Sequence, residues 1–143
     1  MAEVVSINIS SSKGAVKNPS ECGILIKDGG LSGDAHSADG HRQLSLLACE
    51  SYDEMRSLTT RKLPYGIFAE NITTVGISLH TLPVGTKLKV GDCEIIITQI
   101  GKECHNGCEI FKAVGKCVMP SRGVFAAVLV GGKVKIGDEI KII

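Results

Sequence analysis

The residues best suited to chemistry lie together in Thr98-Gln99-Ile100-Gly101-Lys102-Glu103-Cys104-His105-Asn106-Gly107-Cys108-Glu109. This stretch leaves a β-branched run over Glu94 to Thr98, so Cys104 falls at a strand-to-loop transition. Positive charge beside a thiol favours its ionised form. A thiolate binds a soft metal or carries sulfur; a thiol does neither well. Cys104 is therefore the candidate nucleophile or metal ligand, with Lys102 and His105 keeping it ionised. It is expected to be the most reactive of the six cysteines, because Cys49 falls in an amphipathic helical pattern and Cys93 enters an apolar strand.

Cys104, His105, Cys108 and Cys117 could instead hold zinc, but the paired, repeated cysteine spacing usual for structural zinc is missing. Cys108 and Cys117 read better as small core residues. A second constellation gathers Gly33-Asp34-Ala35-His36 and His41-Arg42-Gln43 on one loop. Arg42 offers a planar fork for phosphate or carboxylate; alternatively, Asp34 and Arg42 pair and simply fix a turn. In Phe68-Ala69-Glu70-Asn71-Ile72-Thr73, Glu70 and Asn71 either cap a turn or orient a ligand, and the habit of Asn of satisfying turn backbones favours the cap. Arg122, between Pro120 and Gly123, is either a second anion contact or a solvated turn charge.

The elements that must position these groups follow from composition and pattern. A chain of 143 residues, 43% hydrophobic and with a formal net charge of +1, fits one domain over residues 1–143 with one core. That balance argues against disorder and general nucleic-acid binding. Three Phe, two Tyr and no Trp leave no stacking platform for single strands. The start, Met1-Ala2-Glu3-Val4, lacks a basic region followed by a long apolar run, and no apolar stretch approaches bilayer length. The expectation is a cytoplasmic protein whose cysteines are free thiols or ligands rather than disulfides.

Val5, Ile7 and Ile9 alternate with polar residues as in a half-buried strand. Ser10 to Pro19 reads as a polar loop, Gly23 to Ile26 as a strand and Ser32 to Gly40 as a loop. The principal helix is expected over Leu46 to Leu58, capped by Ser45 or a neighbour. Beyond Pro64 the pattern is β, over Asn71–Thr74, Lys87–Val90, Glu94–Thr98, Val124–Val130, Lys133–Ile136 and Glu139–Ile142, with a short helix near Cys108 to Val114. Gly85-Thr86-Lys87-Leu88-Lys89-Val90-Gly91-Asp92 echoes Gly131-Gly132-Lys133-Val134-Lys135-Ile136-Gly137-Asp138. Many short strands at turn spacing predict a mainly β fold, a closed or nearly closed β-barrel with one principal helix and short additional helices.

At these motifs the chain resembles the MOSC domain family, the domain at the C-terminus of molybdenum cofactor sulfurases. The resemblance is carried in order by Ser11 to Lys17 with Gly14, by Gly29-Gly30-Leu31-Ser32-Gly33-Asp34-Ala35-His36, by Arg42-Gln43 and by Phe68-Ala69-Glu70-Asn71-Ile72. Leu82-Pro83-Val84-Gly85-Thr86 and Gln99 through Cys104 continue it. Arg122-Gly123-Val124-Phe125-Ala126 and Val134-Lys135-Ile136-Gly137-Asp138 look like the small stand-alone members. The family cysteine corresponds to Cys104. Where some members carry a Pro-Arg pair and a further Pro, this chain has Ile100, Gly101 and Glu103, which leaves Lys102 as the substitute cation. The Phe-Gly-Glu-Asn of many members is Phe-Ala-Glu-Asn here.

The resemblance implies a β-barrel that binds the molybdenum cofactor, its pterin or its sulfur. Cys104 would be the persulfide site or molybdenum thiolate, and His36, Arg42, Gln43, Asn71 and Arg122 the cofactor-binding set. A sulfurtransferase-type activity would need a cysteine desulfurase as donor and a molybdoenzyme as acceptor. Pyridoxal phosphate belongs to the full-length sulfurases and is not expected on this chain. The competing class is a non-catalytic accessory or sensor that binds an oxyanion or the cofactor. The cofactor reading makes a geometric demand: the Gly33–Gln43 and Gly101–Cys104 loops must line one pocket, with Lys102 or Arg122 at its rim.

Overall fold

A computed structural model describes residues 2–10, 17–34, 43–57, 62–68, 70–101 and 122–143. The fold is mainly β. The strands are β1 (Glu3–Ile9), β2 (Asn18–Ser20), β3 (Cys22–Ile26), β4 (Gly30–Leu31), β5 (Leu44–Ala48), β6 (Ile72–Val75), β7 (Lys87–Val90), β8 (Cys93–Ile100), β9 (Val124–Val130), β10 (Gly132–Lys135) and β11 (Ile140–Ile142). Helix α1 (Cys49–Arg56) follows β5 directly, and a 3-10 turn spans Leu79–Thr81. An eight-stranded sheet runs β11-β7-β8-β9-β5-β6-β1-β2, and a three-stranded sheet runs β10-β3-β4. Pairing is antiparallel except between β5 and β6, which run parallel. The main core lies between the sheets: Leu25, Leu31 and Val134 of the small sheet meet Ile7, Leu46, Ile95, Ile97 and Val128 of the large one.

The sheet is not closed into a barrel, contrary to the sequence expectation. Its outer strands are β11 and β2, each three residues long. Beyond the sheet's own ladder, β1 meets the β11 end of the chain through an isolated bridge, Glu3 with Glu139, flanked by backbone bonds such as Val4 N–H to the Asp138 carbonyl at 2.9 Å. Strands this short carry too few hydrogen bonds to complete a seam, and closure is what would remove the edges.

The helix expected over 46–58 begins later, at Cys49. Leu44 to Ala48 is a strand buried along its whole length, and a short apolar run of this kind has no period that separates buried strand from helix. The N-cap residue is Ala48, without a side-chain cap; Ser45 donates its backbone N–H to Asn71 Oδ1 at 2.9 Å instead. The loop expected over 10–19 ends in β2, which adds to β1. The short helix near 108–114 lies outside the described residues. The two Gly-Asp units lie in different sheets yet meet at their turns, where Gly91 N–H donates to the Glu139 carbonyl at 3.0 Å.

A buried polar network sits under the start of β5 and β6. Lys17 Nζ lies 2.7 Å from Asp34 Oδ1, both side chains fully buried, and the same oxygen accepts Ser10 N–H at 3.1 Å. Two glycines allow this approach. Gly66, at φ +94°, lies where a Cβ would strike the Lys17 carbonyl oxygen, and Gly30, at φ +78°, lies against the Gln43 carbonyl. Glu70, fully buried, accepts from Tyr52 Oη at 2.6 Å, Thr73 Oγ1 at 2.7 Å and Gly66 N–H at 3.3 Å, all through Oε2, while Oε1 has no partner among the described residues. Tyr52 also packs edge-on to Tyr65 and Phe68.

Two predictions follow from this network. Replacing Lys17 by Met strands the Asp34 carboxylate without its buried partner, a change that costs about 3–5 kcal/mol. Urea unfolding is expected to show a large fall in midpoint; a midpoint near wild type contradicts the pair's structural role. Burial pushes the Glu70 carboxyl above its ordinary value of 4.5, against the lowering effect of its Tyr52 and Thr73 bonds. The fold therefore holds this proton more tightly than the unfolded chain does. Its contribution is fully present below that ordinary value and is lost as pH rises through the folded value. The wild-type urea midpoint is expected to fall as pH rises above the ordinary carboxyl value, and Glu70→Gln to flatten that slope. An unchanged slope in the variant contradicts it.

Candidate functional site

Strand β5 separates two polar regions, one at each end. At its start, Gln43 Oε1 accepts Val128 N–H from β9 at 3.2 Å. Asn71 Oδ1 accepts the Ser45 backbone and hydroxyl at 2.9 and 3.2 Å, and its Nδ2 donates to the Asn8 carbonyl at 3.3 Å. These amides tie β5, β6, β9 and β1 together, with Lys17 and Asp34 beside them.

At the end of β5 the chain enters α1, and a cleft of about 420 Å³ opens between the helix, residues 76–80 and Arg122. Glu50 and Glu54, four apart, share the helix face that lines it. Glu50 Oε2 accepts Gly76 N–H at 3.0 Å. Arg122 stands just before β9, where one of its terminal nitrogens lies 2.7 Å from His80 Nε2 and the other 3.1 Å from Glu54 Oε1. A guanidinium nitrogen only donates, so His80 Nε2 is the acceptor and the ring proton sits on Nδ1. Across β9, Gly101 N–H donates to the Gly123 carbonyl at 2.7 Å, extending the Ile100–Val124 pair of β8 and β9. Gly101, the last described residue before Lys102, thus sits beside Gly123, which adjoins Arg122.

Of the eight candidates read from sequence, Gln43, Asn71 and Arg122 lie within the described residues; His36, Arg42, Lys102, Cys104 and His105 lie outside them. The flanking anchors are nevertheless fixed. Gln43, next in sequence to Arg42, lies near Val128, and Gly101, three residues before Cys104, lies near Gly123. The two therefore root at opposite ends of β5, a strand of five residues rising about 3.3 Å each. The one-pocket demand itself falls on residues outside the description, as does the Asp34–Arg42 turn. Sequence reasoning missed Glu54 and His80, which hold Arg122, and Lys17, which pairs with Asp34. The signal for Glu54 was its spacing from Glu50; a lone His80 in a Ser-Leu-His-Thr turn gives none.

The described cysteines differ in environment. Burial, then the charge and hydrogen bond of Glu50, push Cys49 up to about 11. Burial also raises Cys93, which is enclosed. Cys22 is exposed, opposite Lys135 in the β3–β10 register. Among the described residues no group of three or more His, Cys, Asp or Glu is placed to hold a metal ion, and no helix there is long and apolar enough to cross a membrane.

Comparison with known proteins now places the fold. The YuaD protein of Bacillus subtilis superposes with a TM-score of 0.82 at 19% identity, covering 99% of this chain and 96% of its own. YiiM of Geobacillus stearothermophilus gives 0.75 at 17% identity, covering 100% of this chain and 75% of its own. YiiM of Escherichia coli gives 0.72 at 17%, covering 100% and 70%. No curated protein sequence matches the chain. The MOSC domain model matches residues 32–141, most of the chain. This protein belongs to the MOSC domain family.

Proposed function

We propose that this chain binds the molybdenum cofactor or carries sulfur for it, with Cys104 as the thiolate that holds the sulfur or meets the metal. The family supports the cofactor class, since MOSC domains are associated with molybdenum cofactor and its sulfur. The observation that carries the reading to a place in this molecule is the bond from Gly101 to Gly123. Cys104 lies three residues past Gly101, so it stays within roughly 11 Å of it along the chain. Arg122 adjoins Gly123.

The donors present suit one end of such a ligand. Two of the five guanidinium N–H groups of Arg122 meet His80 and Glu54, which leaves others for a phosphate. When bound, the cofactor supplies the soft metal centre that takes sulfur. Lys102 and His105 keep Cys104 ionised, while His36, Arg42 and Arg122 take anionic groups. Gln43 and Asn71, whose amide oxygens already accept protein N–H groups, serve this site by fixing the ends of β5 and β6. In the sulfur-carrying step the Cys104 thiolate attacks the outer sulfur of a donor persulfide, and the donor thiolate leaves. A cytoplasmic desulfurase supplies the persulfide and a molybdoenzyme is the acceptor.

A non-catalytic oxyanion- or cofactor-binding module is the second reading, favoured by the half-exposed ion pair of Arg122 with Glu54, a charged contact that needs no covalent step.

Intact mass spectrometry after incubation with a persulfide donor tests the first reading. Wild type is expected to gain one sulfur atom and Cys104→Ser none; equal gain by the variant contradicts it. Competitive alkylation at neutral pH supplies an independent check. Cys104 is expected to react first and exposed Cys22 next, with Cys49 slow and Cys93 slowest. Modification of Cys49 or Cys93 ahead of Cys104 overturns the ranking.

A further inference from the structure

We infer that the cleft at the end of β5 is an oxyanion subsite gated by the protein's own carboxylate. Arg122 is the anion contact, His80 positions it, and Glu54 occupies the guanidinium until a phosphate or similar oxyanion displaces it. The inference rests on the reading of Arg122 as an anion contact and adds what regulates it.

The argument starts from Arg122, whose side chain is one-third exposed and faces the cleft of about 420 Å³. That volume exceeds what a bare phosphate fills and falls within the range of small-molecule sites. One terminal nitrogen is held by His80 at 2.7 Å, on the part-buried side. His80 carries no negative charge, so this contact orients the guanidinium without neutralising it. The other terminal nitrogen meets Glu54 Oε1 at 3.1 Å, and the Glu54 side chain is 54% exposed. An ion pair this open to solvent is weak and exchanges readily for another anion. Glu50, the second carboxylate on the same helix face, is tied to Gly76 N–H and so does not compete in the same way. The cleft thus holds a positioned cation whose neutralising partner is the loosest member of the group. As long as Glu54 sits on Arg122, the cleft carries net negative charge and repels oxyanions. Once Glu54 swings to solvent, the fork of Arg122 is free for bidentate contact.

Titration of the full chain with inorganic phosphate, followed by amide resonances of Gly76, His80 and Gly123, tests this. In wild type these amides are expected to shift together with weak saturation. Glu54→Gln is expected to tighten phosphate binding about two- to fivefold, the loss of an exposed competing pair. Arg122→Gln should abolish the response, and Arg122→Lys should weaken it by removing the fork. His80→Gln, which keeps an acceptor, should bind as wild type does, and His80→Leu more weakly. The same spectra report whether each variant is folded. Unchanged affinity in Glu54→Gln, with the response lost in Arg122→Gln, overturns the gate and leaves the anion contact standing. No phosphate response at these amides in wild type and Glu54→Gln overturns both. Persulfide formation on Cys104 is read separately, so its failure is distinguishable from either.

Discussion

Strand β5 is the constraint on which the rest depends. Its five residues are buried on both faces, and both edges are paired, to β9 on one side and β6 on the other. A strand so enclosed can offer chemistry only at its ends, where the chain must leave the sheet. Each end carries one of the polar regions, and β9 fixes the distance between them because it pairs antiparallel with both β5 and β8.

The two ends are built differently. The start is a buried network: Lys17 pairs with Asp34, Asn71 and Gln43 bond to backbone groups of neighbouring strands, and Glu70 accepts from Tyr52, Thr73 and Gly66 N–H. Taking such groups from water costs free energy that only well-formed partners offset, so the network favours one arrangement of β1, β5 and β6. The finish is half open. Arg122, His80 and Glu54 sit at the edge of a cleft, in part solvated, where partners can be exchanged. The start thus fixes the fold, while the finish keeps exchangeable partners.

Much of the β pattern was legible in the sequence because alternation and Gly-containing turns are local signals. Lys87–Val90 and Val124–Val130 emerge with the boundaries read from residues. Leu46 misled: an apolar run buried on both faces has no period, and the helix was started three residues early. Barrel closure was illegible because it depends on how two short edges meet, not on any local pattern. At the candidate site, Arg122 stood out as a charge between Pro120 and Gly123. Its partners did not, because Glu54 and His80 are brought to it from distant segments. Asn71 was legible as a backbone-satisfying residue, which is its role between Ser45 and Asn8.

The central claim is that Cys104 works at the Arg122 end of β5. A nitroxide attached to Cys104, with the other five cysteines of the six replaced, tests it directly through the broadening of nearby amide resonances. The account predicts strong broadening at Gly76 and His80, across the cleft from Gly123. Broadening confined to Ser10, Asp34 and Gln43, at the opposite end of the strand, would contradict it.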